Sequence, residues 1–190
     1  HLDDARLVPH LLEHLAEARA AGVTGFVSAG VHASGWRKQV ALTQGRSDVW
    51  HAFGIHPGWV GRLETPLMEE QLAELHGALT GELGVQAVAL GETGLHRVKG
   101  TSSTEFEEQE RVFVHQLGVA RTLNLPVVLH VVGAHERTLQ IIRREGLPES
   151  GGVVHSYSGS AELVRSYLAC GLCLSFSGVV TWPEARRSKE

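Results

Sequence analysis

The chain has 190 residues, 43% hydrophobic and 20% charged, with a formal net charge of −4, the composition of a soluble globular protein with a core of ordinary size. No apolar run approaches the roughly 20 residues that cross a bilayer, and no basic-then-apolar leader opens the chain, so a cytoplasmic location without membrane partners is expected. The acidic balance argues against a general basic surface for nucleic acid, although bound divalent cations can reverse the field locally.

Residues 3–21, DDARLVPHLLEHLAEARAA, place Leu7, Leu11, Leu15 and Ala18 at helical spacing; Gly22 is a stop, and Pro9 disturbs only the first turn. VTGFVSAG, at 23–30, is a short apolar run that reads as a strand. GWRKQVALTQG follows as a short helix, VWHAFGIHPG as a strand with its exit loop, and TPLMEEQLAELHGAL as a helix that Thr65 can cap, with Pro66 in its first turn. VQAVALGE is the next strand and TEFEEQERVFVHQLGVARTLN a long helix, with Thr104 and Glu107 as a capping box. LPVVLHVV, GGVVHSYSG and LCLSFSGVV then read as strands, separated by the helices AHERTLQIIRREG and SAELVRSYLACG. Within CGLC, Cys170 and Cys173 close a helix and open a strand, whereas a thioredoxin-like pair would open a helix. Two buried free thiols are expected.

Strands at about 23–29, 49–55, 85–91, 126–131, 152–156 and 172–177, joined by helical crossovers, require a parallel sheet covered by helices. An open doubly wound sheet and a barrel both satisfy this. Glu92, His130 and His155 stand at or just beyond the C-terminal ends of three different strands, positions that converge only when the sheet closes. The expected fold is therefore α/β, a TIM-like (β/α)8 barrel. Six strands are two short of eight; His1 stands where a strand would just have ended, and EARRSKE breaks off in a new helix. Residues 1–190 thus read as a single, incomplete barrel domain lacking its first and last strands.

Imidazole is an effective neutral ligand for Zn, Mn, Fe, Co or Ni, and a carboxylate can bridge two ions and offset their repulsion. Glu92, His130 and His155 could supply such a bridge and an imidazole pair, and His1 joins them by placement. His56, stiffened by Pro57, reads as a substrate-facing hydrogen-bond donor rather than a ligand, with loop packing an equal alternative. His96 could enter the mouth from its loop. His10, His14, His76 and His115 fall in helical runs and read as surface or packing residues. HSYSGS contains no G-x-S-x-G elbow around Ser156 or Ser158, and no G-x-G-x-x-G or phosphate-binding loop occurs, which disfavours a serine hydrolase and a nucleotide cofactor.

In order, HLDD (1–4), GIHPG (54–58), ALGETGL (89–95), LPVVLH (125–130), GVVHSYSG (152–159) and SFSGVVT (175–181) resemble the motifs of the TatD family of metal-dependent hydrolases. The resemblance implies a TIM-like barrel with a two-metal centre that hydrolyses DNA phosphodiesters with metal-activated water, as exonuclease or repair-type deoxyribonuclease. By this match His1 is the second His of an opening H-x-H, Glu92 the carboxylate shared by two divalent ions (Mg, Mn or Zn), His130 and His155 the imidazoles of the second ion, and His56 a non-ligand near substrate phosphate. A late Asp of the family has no counterpart here. Gly58 stands where many members carry a second His, His96 replaces the Asp of GLD, and HVVGAH replaces the more usual HSRDA. The expected catalytic residues are Glu92, His56 and His96, and DNA is the expected substrate, with Trp59, Tyr157 and Trp182 as candidates to stack bases. Two other readings stay open: a hydrolase of small amides, lactones or phosphoesters, and a noncatalytic barrel that serves as an assembly component for a protein partner.

Overall fold

In the computed structural model of the chain the described residues are 2, 4–62 and 64–182, so His1 and the expected helix in EARRSKE lie outside them. Six strands, β1 (Phe26–Ala29), β2 (Val49–Phe53), β3 (Ala89–His96), β4 (Val127–Val132), β5 (Gly152–His155) and β6 (Leu172–Leu174), pair in parallel in the order β1-β2-β3-β4-β5-β6. Between them run α2 (Ala33–Thr43), α3 (Thr65–Thr80), α4 (Ser103–Leu123), α5 (His135–Glu145) and α6 (Ala161–Ala169), with α1 (Leu11–Ala20) preceding β1. Each crossover steps to the next position in the same direction. A doubly wound sheet reverses once and thereby makes its binding crevice; this sheet never reverses and curls as an arc of a barrel, as expected.

The pleat decides which residues reach the site. In β4, Val127, Leu129 and Val131 are buried while Val128, His130 and Val132 are half-buried on the opposite face. His130 pairs in register with Gly94 of β3 and His155 of β5, which sets the two imidazoles side by side. Against the buried face packs α4, whose Phe106, Val112, Phe113, Leu117 and Ala120 join Leu90, Leu95, Val127 and Leu129 in one core. Each such large side chain contributes about 1.5–3 kcal/mol when fully buried. Among the described residues no helix is long and apolar enough to cross a membrane.

Several sequence expectations are corrected. Strand β3 starts at Ala89 rather than 85 and runs to His96, with a register shift between Gly91 and Thr93, so Glu92 sits at an irregularity inside the strand and His96 ends it. The α4 cap is Ser102, whose hydroxyl accepts from Glu105 N at 3.1 Å, not Thr104 with Glu107. A turn in which Thr101 N donates to Val98 O delivers the chain to Ser102 two residues early. Thr65 is already helical in α3, and Glu64 holds the cap position. The first turn, at Val8–His10 around Pro9, is 3-10. Cys170 and Cys173 are free, but Cys170 is half-buried and Cys173 exposed, because β6 is the sheet's edge and turns Leu172 inward.

Candidate metal centre

Three exits on the C-terminal side of the sheet converge. His56 follows β2, Glu92 lies in β3 and His130 in β4, and each offers one donor atom within 4.8 Å of the others. The approach depends on glycine. A Cβ on Gly54 would come within 2.7 Å of the Gly91 carbonyl carbon and 2.9 Å of the Glu92 carbonyl oxygen, so a side chain there would drive β2 away from the carboxylate. Gly91 is equally crowded, since its Cβ would meet Val128 at 2.6 Å.

Glu92 is 3% exposed. Burial alone would raise its pKa, but the hydrogen bond from His130 and the charges of His56, His130 and His155 outweigh burial and hold the carboxyl below its ordinary range. It is therefore an ionised group in a dry setting, which calls for positive charge. His130 Nδ1 lies 3.2 Å from Glu92 Oε1, and His130 Nε2 lies 2.9 Å from His96 Nδ1. A carboxylate only accepts, so His130 donates from Nδ1 to Glu92, and the Nε2 contact runs between His130 and His96 with its direction set by their tautomers. Burial and the neighbouring His130 hold His96 below the usual imidazole value, consistent with a neutral ring.

His56 joins this group in a different capacity. Gly58 N donates to its Nδ1 at 2.9 Å, which leaves the proton on Nε2. Burial, with His130 beside it at 4.2 Å between ring centroids, pushes its pKa down to about 4. The outward nitrogen is thus an uncharged donor, suited to a phosphate oxygen and unsuited to a cation unless the Gly58 bond is given up. Position places His56 among the groups that could hold an ion, while its Nδ1 is taken by Gly58 N.

His155, in register with His130, is exposed, and among the described residues its ring nitrogens meet the hydroxyls Ser156 Oγ at 3.3 Å and Ser175 Oγ at 3.4 Å. A hydroxyl can donate or accept, so either ring nitrogen of His155 can be left bare for an ion. The donor set of a buried carboxylate and imidazoles on consecutive strands fits a divalent transition metal or zinc.

Of the aromatic candidates, Tyr157 is buried and donates to Ser160 O at 2.6 Å, so its ring packs rather than stacks a base. Trp59 is half-buried against His32 at 4.1 Å, and Trp182 is exposed. His10, His14, His76 and His115 are exposed, as expected.

Two residues went unread in the sequence. Gln109 Oε1 accepts from His96 N at 2.8 Å, while Gln116 accepts from Ile55 N at 2.8 Å and donates to Ile55 O at 3.0 Å. Both glutamines are buried on the core face of α4 and clamp the backbone beside His96 and His56. Their signal was present as two polar residues at helical spacing within an apolar stripe.

The sequence model of a family described as TatD related DNase matches residues 1–190. A metal-dependent hydrolase of Bacillus subtilis, YabD, is 30% identical over 190 residues, covering 100% of this chain and 71% of that protein. The 3'-5' ssDNA/RNA exonuclease TatD of Cronobacter sakazakii is 34% identical over 170 residues, 88% of this chain and 60% of that protein. The crystal structure of YjjV, a TatD homologue from Escherichia coli, superposes with a TM-score of 0.85 at 28% identity, over 100% of this chain and 70% of that one. The chain thus spans about two thirds of the length of the relatives it matches.

Proposed function

This chain belongs to the family of TatD-related DNases, and from that premise we propose that it forms the ion-holding part of a phosphodiesterase that cleaves DNA. Glu92, His130 and His155 would hold the cations, with His1 as a further ligand, and His56 and His96 would serve the substrate. When bound, two divalent ions supply Lewis-acid charge, acidify water and stabilise oxyanions. The observation that carries the reading is the meeting of His56, Glu92 and His130 donor atoms from three successive strand exits, within 4.8 Å, around a buried carboxylate.

The protein's own groups divide the remaining work. Glu92 presents a fixed negative charge that selects cations. His130 orients that carboxylate through Nδ1 and would be a ligand to a bound cation. His56 directs Nε2–H at a phosphate oxygen and, being neutral near pH 7, leaves the local charge to the ions. A related exonuclease acts on ssDNA and RNA by name, and a single DNA strand is the substrate we assign here.

The test is hydrolysis of a labelled single-stranded oligodeoxynucleotide by the full-length protein with Mg or Mn, against Glu92→Gln and against chelator. Glu92→Gln is expected to lose more than the roughly 10–100-fold typical of residues that merely support metal ligands. Turnover of the variant within threefold of wild type would remove Glu92 from the site. Hydrolysis of small esters with no cleavage of DNA would transfer the chemistry to a small-molecule substrate.

A further inference from the structure

Two arginines stand on the rim of this centre without an acid to hold them. Among the described residues neither Arg62 nor Arg97 has an ion-pair partner. Each lies instead over an aromatic ring, Arg62 at 5.5 Å from the Trp59 centroid and Arg97 at 4.8 Å from that of Phe106. Both occupy loops that leave the site, Arg62 in the segment after His56 and Arg97 directly after His96. Their backbones are anchored too: Arg62 N donates to Trp59 O at 3.2 Å and Arg97 N to Val132 O at 2.8 Å.

The first turn of α4 joins the two loops. Phe106 lies beneath Arg97, and the neighbouring Glu105 Cγ would stand 3.0 Å from a Cβ on Gly61, the residue before Arg62. Beside Arg97 opens a cavity of about 350 Å³, whose walls include Phe106, Gly133, His135, Glu136 and Arg137. The acids facing this rim are Glu105 and Glu136; Arg137 is engaged by Glu110 at 2.5 Å.

A cation–π contact restrains a guanidinium near its ring without using up its N–H donors, which can still grip a phosphate in two bonds. A chain with a net charge of −4 repels a polyanion as a whole, so a strand must be held by cations fixed locally. A substrate with a single phosphodiester would have no use for two cations set apart from the reacting group.

We infer that Arg62 and Arg97 bind phosphates that flank the scissile group in a single nucleic-acid strand, so that the site favours an oligonucleotide over an isolated phosphodiester. The inference rests on the phosphodiesterase reading above. Its test is anisotropy of a labelled phosphorothioate strand, which resists cleavage, with the full-length protein across a salt series. Arg62→Gln and Arg97→Gln should each weaken binding and lower the slope of log affinity against log salt by about 0.7, and the double variant by about 1.4, the share of one and of two single-strand phosphate contacts. Lysine at either position should keep the slope and lose affinity, since charge remains and the fork does not. Arg143→Gln removes the same charge from the exposed side of α5 and should leave the slope unchanged. If the two site variants match Arg143→Gln while wild type binds the strand, the inference is overturned and the nuclease reading stands. A wild-type protein that binds no strand at low salt overturns both.

Discussion

His130 and His155 face each other across the β4–β5 ladder, yet they are held in opposite ways. One is bonded at both ring nitrogens, to Glu92 at 3.2 Å and His96 at 2.9 Å; the other, among the described residues, meets two hydroxyls at 3.3 and 3.4 Å. The first ring serves the folded protein even without an ion, because it satisfies a buried carboxylate. The second is exposed and satisfies no buried charge. The pair thus has one closely bonded member, tied to β3, and one exposed member on β5.

Removing each imidazole in turn should separate the two rings most sharply. His130→Ala should cost about 1–3 kcal/mol of unfolding free energy in chelator, because buried Glu92 loses one of its partners and the ring leaves a gap. His155→Ala should stay within about 0.5 kcal/mol of wild type, as exposed substitutions usually do, while ion affinity falls in both. Equal losses by urea titration would show that the two rings are held alike. Next in size is Gln109→Leu, which strips His96 N of its acceptor and loosens the second partner of His130; about 1 kcal/mol is expected. The accompanying readout is the His96 and His130 ring resonances, which should broaden or shift while those of His155 stay in place.

The smallest effect concerns a third imidazole. His51 is buried with Nε2 at 3.2 Å from Thr43 Oγ1, and burial lowers its pKa from the ordinary 6.5. Protonation therefore favours the unfolded chain: the contribution to stability is complete above 6.5 and is lost as pH falls through the lower folded value. Denaturation curves from pH 7 to 5 should steepen their decline for wild type relative to His51→Gln, and parallel curves would assign the pH response elsewhere. Together these three histidines grade from charge-paired through hydroxyl-paired to enclosed.

The fold was legible because it follows from repetition. Short apolar runs such as VVLHVV alternate with amphipathic helices such as HERTLQIIRRE, and the crossover rule leaves few arrangements. Glu92, His130 and His155 were legible as polar breaks at the ends of apolar runs. What the pattern does not encode is the partner of each break. The register shift between Gly91 and Thr93 extends β3 to His96, and nothing in ALGETGLH distinguishes a strand that ends at Glu92 from one that bulges there and continues. Two overlapping S/T-x-x-E matches, Ser102 with Glu105 and Thr104 with Glu107, are equivalent until the preceding turn selects the first. The glutamine clamps depend on contacts between α4 and loops distant in sequence, and such contacts leave only a polar residue on an apolar stripe as their trace.

Because Glu92, His130 and His155 are each contributed by a separate strand-helix unit, these three side chains come together only when the chain folds, so a cation held by them would bind the folded form alone. Mass action then ties the lifetime of the folded molecule to ion supply: free metal at one hundred times its dissociation constant adds about 2.7 kcal/mol of stability. On the proposed function, starvation for metal would therefore register first as faster proteolytic turnover of the protein, and its abundance would track the supply of the ion.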